Sequence, residues 1–323
     1  MLSYIYLVIG LLLVIKSADW LVNGASSIAR NMRISDYIIG LTVVSFGTSL
    51  PELVISLVAG SEGNSDLILG NIIGSNIANI LLVLGVAAII YPLSATNRTV
   101  WREIPFTLGA CLVLVFLVND IALFGEEESQ ISQKDGMVLL GCFSMFVWYA
   151  YRVLKSQQED DVEWVGEMKQ HNRTRSILEI VGGAFGLYVG GRLAVMEGAV
   201  PIAESWGMSS AFIGLTVLAI GTSLPELATS AVAAFKRNTD IAVGNVVGSN
   251  IFNIFIVLGI SGTVRPIPFQ EVMNADLAMV VIATVLLFMF MFVGHPARTI
   301  QRREGILFLT IYAAYLVYIT NRG

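Results

Sequence analysis

The chain has 323 residues, of which 55% are hydrophobic and only 13% charged, with a mean hydropathy of +0.75 and a net charge of -5. A soluble globular protein of this length would carry far more surface charge, so the composition predicts an integral membrane protein and gives no reason to expect nucleic acid. Cys111 and Cys142 lie in apolar stretches and His171 and His295 in separate polar connections, which excludes a disulfide framework and a thiolate or imidazole metal site.

Apolar runs of about 20 residues predict ten membrane spans. The first, 3–25, lacks a basic leading segment and is expected to be retained rather than cleaved. It holds Lys16 and Asp19, read as a local ion pair or as snorkelling side chains near a span end. The second, 36–60, contains Gly40-Leu-Thr-Val-Val-Ser-Phe-Gly-Thr-Ser-Leu-Pro-Glu52-Leu53, and the third, 66–91, contains Gly70-Asn-Ile-Ile-Gly-Ser-Asn-Ile-Ala-Asn79. The fourth and fifth are 104–121 and 135–154, joined by an acidic loop with Glu126, Glu127 and Glu128.

A polar linker, 155–175, carries Glu159, Asp160, Asp161, Glu163 and Glu167, and divides the chain into units 1–154 and 176–323. Neither acidic loop has the spacing of an EF-hand, so both read as solvated. The sixth span, 176–199, includes Arg192. In the seventh, 209–234, the earlier motif returns as Gly214-Leu-Thr-Val-Leu-Ala-Ile-Gly-Thr-Ser-Leu-Pro-Glu226-Leu227. The eighth, 240–263, repeats the other as Gly244-Asn-Val-Val-Gly-Ser-Asn-Ile-Phe-Asn253. Both pairs recur at one offset of 174 residues, and 275–293 and 305–320 complete the set.

With the amino terminus outside, fourteen basic residues fall in cytoplasmic loops and three outside, as the positive-inside rule favours; both termini are then external. Because five is odd, the second group of five spans enters from the opposite face, so the halves form an inverted pair. The expected fold is therefore an all-α membrane protein of two inverted five-helix repeats, multi-pass in the cytoplasmic (inner) membrane, with motif cores at about 36–91 and 209–263.

Pro51 and Pro225 lack the N–H that a helix returns to the fourth preceding carbonyl, which predicts a break at mid-span. Thr48, Ser49 and Glu52 are spaced to share one helical face, as are Ser75 with Asn79 and Ser249 with Asn253. Pooled, the halves offer carboxylates from Glu52 and Glu226, amides from Asn79 and Asn253, and hydroxyls from Thr48, Ser49, Ser75, Thr222, Ser223 and Ser249. Calcium takes about six to eight oxygens in flexible geometry, whereas magnesium insists on an octahedron, so the set suits calcium. Two negative charges balance one Ca2+, two Na+ or two protons, which is what exchange requires. Asn76 and Asn250 point about 100° from the neighbouring serines and are read as supporting residues rather than ligands. The motif glycines also suit close helix packing.

The paired Gly-Thr-Ser-Leu-Pro-Glu and Gly-Asn-x-x-Gly-Ser-Asn-Ile-x-Asn segments resemble the two alpha-repeats of the calcium:cation antiporter superfamily, and most resemble its prokaryotic Na+/Ca2+ exchanger branch. The resemblance implies that fold, central carboxylates at Glu52 and Glu226, hydroxyl ligands at Thr48, Ser49, Ser75, Thr222, Ser223 and Ser249, and amide positions at Asn79 and Asn253. It also implies ligating carbonyls at Ser45 and Ala219, and sliding of spans 1 and 6 against the core. Some members carry Asp where this chain has Asn253, and the proton-coupled branch places a further acid in the helices of Asn79 and Asn253, whose absence here favours sodium.

The function expected is therefore antiport of Ca2+ against Na+ by alternating access, with H+/Ca2+ antiport on the same carboxylates or a cation channel as alternatives. An intramembrane hydrolase would need Gly-x-Ser-x-Gly, paired intramembrane aspartates or His-Glu-x-x-His, none of which is present, so no enzyme is expected. No cofactor is expected either. Ca2+ and Na+ are cargo, the lipid bilayer is the surrounding partner, and no obligate protein partner is evident.

Overall fold

A computed structural model describes residues 2–63, 65–96, 99–119, 129–157, 171–207, 219–293 and 298–322. They form helices throughout, apart from four two-residue strands. In chain order the helices are α1 (Leu2–Met32), α2 (Asp36–Thr48), α3 (Leu50–Glu62), α4 (Ser65–Ile90), α5 (Thr99–Leu117), α6 (Gln133–Gln157), α7 (Arg173–Ser205), α8 (Ala219–Thr222), α9 (Leu224–Phe235), α10 (Thr239–Val264), α11 (Asn274–Val293) and α12 (Arg302–Arg322).

Among the described residues, eight helices are long and apolar enough to cross a membrane, and α2 with α3 form a ninth span bent by 40°. The expected seventh span is described only from α8 onward; Gly214 to Leu218 lie outside the described residues.

Burial separates centre from rim. The apolar windows of α4 and α10 are 78% and 94% buried, while those of α1 and α7 are 33% and 28% buried. Helices that are apolar on every side belong in a core, and α4 and α10 carry the second motif there. Outside them α1 and α7 run antiparallel in close contact. A Cβ on Gly190 would stand 3.0 Å from the Gly10 carbonyl, and one on Gly198 would stand 2.8 Å from the Leu7 backbone, so glycine is what lets the backbones approach.

The inverted repeat is visible in the elements. α4 and α10 match end to end at the 174-residue offset, and each contains a π-helical stretch, Asn79–Val83 and Asn253–Val257. The turns match as well: left-handed Gly63 (φ 76°) mirrors Arg237 (φ 59°), and Arg33 (φ 54°) mirrors Gly207 (φ 77°). Arginine tolerates a position that costs about 1 kcal/mol because its helix end is otherwise satisfied; the Arg237 N–H reaches the Ala234 carbonyl, and its guanidinium lies over Tyr91. Two small bridges tie the halves together. Strand β1 (Leu93–Ser94) pairs with β4 (Thr299–Ile300), and β2 (Gln130–Ile131) pairs with β3 (Ile267–Pro268), so each half lends one strand to each bridge.

Several ends differ from the hydropathy expectation for a physical reason. α1 runs on to Met32 rather than stopping at residue 25, because Ser26 and Ser27 are buried in the bundle instead of marking an exit to water. Ser176 Oγ donates to Ser27 Oγ at 2.7 Å. α7 starts at Arg173, where Asn172 caps it by accepting the Arg175 N–H at 2.8 Å. α5 starts at Thr99 rather than 104, which draws Glu103 inside the helix; its carboxylate is buried and accepts the Tyr149 hydroxyl.

Candidate functional site

The site begins at the two proline breaks. Between α2 and α3 stands Ser49 (φ −84°, ψ 4°), and between α8 and α9 stands Ser223 (φ −82°, ψ 5°), nearly identical bridges at mirror positions. Pro51 and Pro225 occupy the first turns of the following helices, where a missing N–H costs nothing. Glu52 and Glu226 sit in those same first turns, so the helix N-termini favour their negative charge. The break corrects one expectation. Thr48 and Glu52 do not share a continuous helical face, because the chain bends 40° between them.

Instead, the end of α2 reaches the opposite half. Ser49 Oγ donates to Glu226 Oε1 at 3.2 Å, joined there by Ser249 Oγ at 3.3 Å. Thr48 Oγ1 lies 3.4 Å from Ser249 Oγ, and in mirror fashion Ser75 Oγ lies 3.3 Å from Thr222 Oγ1. Glu52 faces Ser75 and is close enough to Glu226 for their charges to interact. Asn79 Nδ2 donates to Asn250 Oδ1 at 3.0 Å, turning its own carbonyl oxygen away from that bond.

Every residue expected to give a side-chain ligand is buried, and Glu52, Glu226, Asn79 and Asn253 are 0% exposed; of Ala219, expected to give its carbonyl, only the backbone is described. Among the described residues, Glu52 Oε1 and Oε2, Glu226 Oε2, Asn79 Oδ1, Asn253 Oδ1 and Ser223 Oγ are buried without a hydrogen-bond partner. Six unpartnered oxygens, from two carboxylates, two amides and a hydroxyl, match the number and hardness that Ca2+ takes. Left alone they would carry a large desolvation cost, so a cation is their natural complement. Ser45 contributes a buried hydroxyl bonded to the Leu41 carbonyl, while its own carbonyl accepts the Ser49 N–H at 3.0 Å and Thr48 Oγ1 at 3.3 Å.

The two faces of the site are packed differently. A cleft of about 610 Å³ between α3, α7 and the α8–α9 break is lined by Pro51, Val54, Val58, Arg192, Val195, Met196, Thr222 and Pro225, and runs toward the face that carries Gly63. At the mirror positions on the other face, α1 packs down on α9, and the described residues of α1 there are buried. Met196 is 41% exposed where its counterpart Val22 is 0% exposed, and Leu67 is 38% exposed where Ile241 is 0% exposed.

Residues outside the ligand set fall into place. Lys16 pairs locally with Asp19 at 3.5 Å as expected, but Asp19 also meets Lys236 Nζ at 2.5 Å, a contact between the halves that span-by-span reading missed. Lys236 further donates to Asn23 Oδ1 at 2.7 Å. Of the two residues expected to be supports, Asn250 holds Asn79 and donates to the Asn76 carbonyl at 3.3 Å, whereas the side-chain amide of Asn76 is buried without a hydrogen-bond partner. Asn71 and Asn245, the second residue of each repeated motif, were not singled out, although their exact repetition was the available signal; both bond the glutamate-bearing helices. Glu126 to Glu128, the linker acids 159–167 and His295 lie outside the described residues. His171 hydrogen-bonds Glu179 at 2.9 Å.

The chain is 39% identical over 316 residues to "Putative antiporter CaxA" of Alkalimonas amylolytica, covering 96% of each. It is 39% identical to "Inner membrane protein YrbG" of Escherichia coli (strain K12), covering 80% of this chain and 79% of that one. It superposes on a solved structure of the sodium-calcium exchanger NCX_Mj, soaked with Na+ and Ca2+, with a TM-score of 0.80 at 34% identity over 98% of both chains. The model of the family described as "Sodium/calcium exchanger protein" matches residues 2–152 and 176–321, and on that extent the chain belongs to the sodium/calcium exchanger family.

Proposed function

We propose that this protein is a secondary antiporter that moves Ca2+ against Na+ across the cytoplasmic membrane, with Ca2+ and Na+ as alternative cargo of one central site. The carrying observation is the set of free, fully buried oxygens from Glu52, Glu226, Asn79, Asn253 and Ser223, contributed by both halves. Two carboxylates bind one divalent or two monovalent ions with equal charge balance, so one cargo can replace the other. Once unloaded, the site holds two uncompensated charges in a low-dielectric interior, which opposes an empty crossing and enforces exchange.

The one-sided cleft supports alternating access: the inverted repeat supplies a second arrangement in which the opposite face opens and this one closes. In this reading the Gly63 face is external, both termini are external, and the single chain holds the whole site without a resident cofactor or an obligate protein partner. The reaction makes and breaks no covalent bond, so the protein is a transporter rather than an enzyme.

The test is uptake of radioactive Ca2+ into liposomes containing purified protein, driven first by an outward Na+ gradient and then by a pH gradient. Uptake is expected with Na+ and to stop when the opposing Na+ is removed. Uptake driven by the pH gradient alone would assign the coupling to protons, and uptake needing neither gradient would mark a channel.

A further inference from the structure

We propose that Asn245 is a positioning residue for exchange, aiming the Thr48 hydroxyl and fixing the backbone beneath the Glu226 carboxylate, while Asn71 at the mirror position makes the same backbone hold beneath Glu52. The proposal rests on the exchange reading above. A hydroxyl that offers its oxygen to a cation must send its proton elsewhere. Thr48 Oγ1 lies 3.0 Å from Asn245 Oδ1, nearer than the Ser45 carbonyl at 3.3 Å or Ser249 Oγ at 3.4 Å, so Asn245 is the acceptor that frees the Thr48 lone pairs.

The orientation of that amide is fixed by its other end. Asn245 Nδ2 faces the Glu226 carbonyl at 3.4 Å and Ser230 Oγ at 3.0 Å. A carbonyl only accepts, and Ser230 already donates to the Ala242 carbonyl at 3.3 Å, so the nitrogen must stand there and the oxygen toward Thr48. Asn71 repeats the hold, with Nδ2 at 3.4 Å from the Glu52 carbonyl and 3.3 Å from Ser56 Oγ. Because Thr48 belongs to the first half and Glu226 to the second, Asn245 joins a hydroxyl of one repeat to the carboxylate-bearing helix of the other. Both amide ends of Asn245 are occupied, so it acts through these groups and not on the ion.

The test measures Na+-driven Ca2+ uptake at graded Ca2+ for the unmodified protein, Asn245→Ala, Thr48→Val and the double variant, with melting temperature recorded for each. Asn245→Ala is expected to raise the Ca2+ concentration for half-maximal uptake about tenfold with a smaller change in maximal rate. The double variant is expected to be no worse than the more impaired single, since both remove one hydroxyl's orientation. An unchanged half-saturation in Asn245→Ala, multiplying losses in the double, or failure of both Asn245→Ala and Asn245→Ser to fold would overturn the positioning role. Failure of the unmodified protein to exchange would instead overturn the exchange reading.

Discussion

Two carboxylates that neither water nor lipid solvates must be neutralised by a cation or a proton, and the proposed exchange assigns that cation to Glu52 and Glu226. Replacing either with glutamine keeps the shape and removes one negative charge. Glu52→Gln or Glu226→Gln is expected to weaken Ca2+ binding by about 3 kcal/mol, more than a hundredfold, and to abolish exchange. The purified variants should melt at the same temperature or higher without cargo, because a neutral amide costs less to bury than a carboxylate. Titration calorimetry with Ca2+ and thermal denaturation in detergent check the two halves of the prediction, and normal uptake by either variant would remove the site. The glutamates were legible in the sequence because charge is rare in a membrane span. The partners of Thr48 were not, since its bonds run to Asn245 and Ser249, some 200 residues away in the other half.

Helix α10 shows why the motif glycines repeat. A Cβ on Gly248 would stand 2.4 Å from the Leu41 carbonyl and from Ser45 Oγ, directly beneath the ligand residues of α2. Gly248→Ala is expected to cost about 1–3 kcal/mol and to lower the melting temperature by several degrees. Gly141→Ala on α6, where no described atom lies within 4 Å, should leave it unchanged. The hydropathy pattern located the α10 span but not this crossing. A second contact governs which face opens. Lys236, at the end of α9, clamps Asp19 and Asn23 of α1 on the closed face, while the sequence places Glu62, Leu193 and Glu197 at the mirror positions, a set that holds no basic partner. Lys236→Met or Asp19→Asn is expected to release about 1 kcal/mol of that clamp, shifting the populations roughly fivefold toward opening of the closed face. Exchanging the charges, as Asp19→Lys with Lys236→Asp, should restore the balance. Apparent Na+ affinity measured from each side of the membrane reports the shift, and equal affinities in the single variants would rule the clamp out.

Taken whole, the molecule is symmetric in its chain and asymmetric in its packing, and the difference between those two facts is its conformational state. The sequence carried the symmetry plainly: one offset relates the motifs at Glu52 and Glu226, and it holds for α4 against α10 and for the left-handed turns at Gly63 and Arg237. It carried nothing about which face is open, because mirror residues such as Met196 and Val22 are both ordinary apolar side chains, and only packing distinguishes them. A single two-state rearrangement that exchanges the roles of α1 and α7 would interchange their exposures. Cysteine placed at Met196 should therefore react with a membrane-impermeant thiol reagent added from the Gly63 face, and cysteine at Val22 should resist reagent from either side under the same conditions. Shifting the population with the Lys236→Met background should move the pattern about fivefold toward its mirror, slowing reaction at the Met196 position and speeding it at the Val22 position from the opposite face. Simultaneous reaction of both positions from opposite faces, with no dependence on that background, would mean a continuous pore, and the exchange mechanism would fail with it.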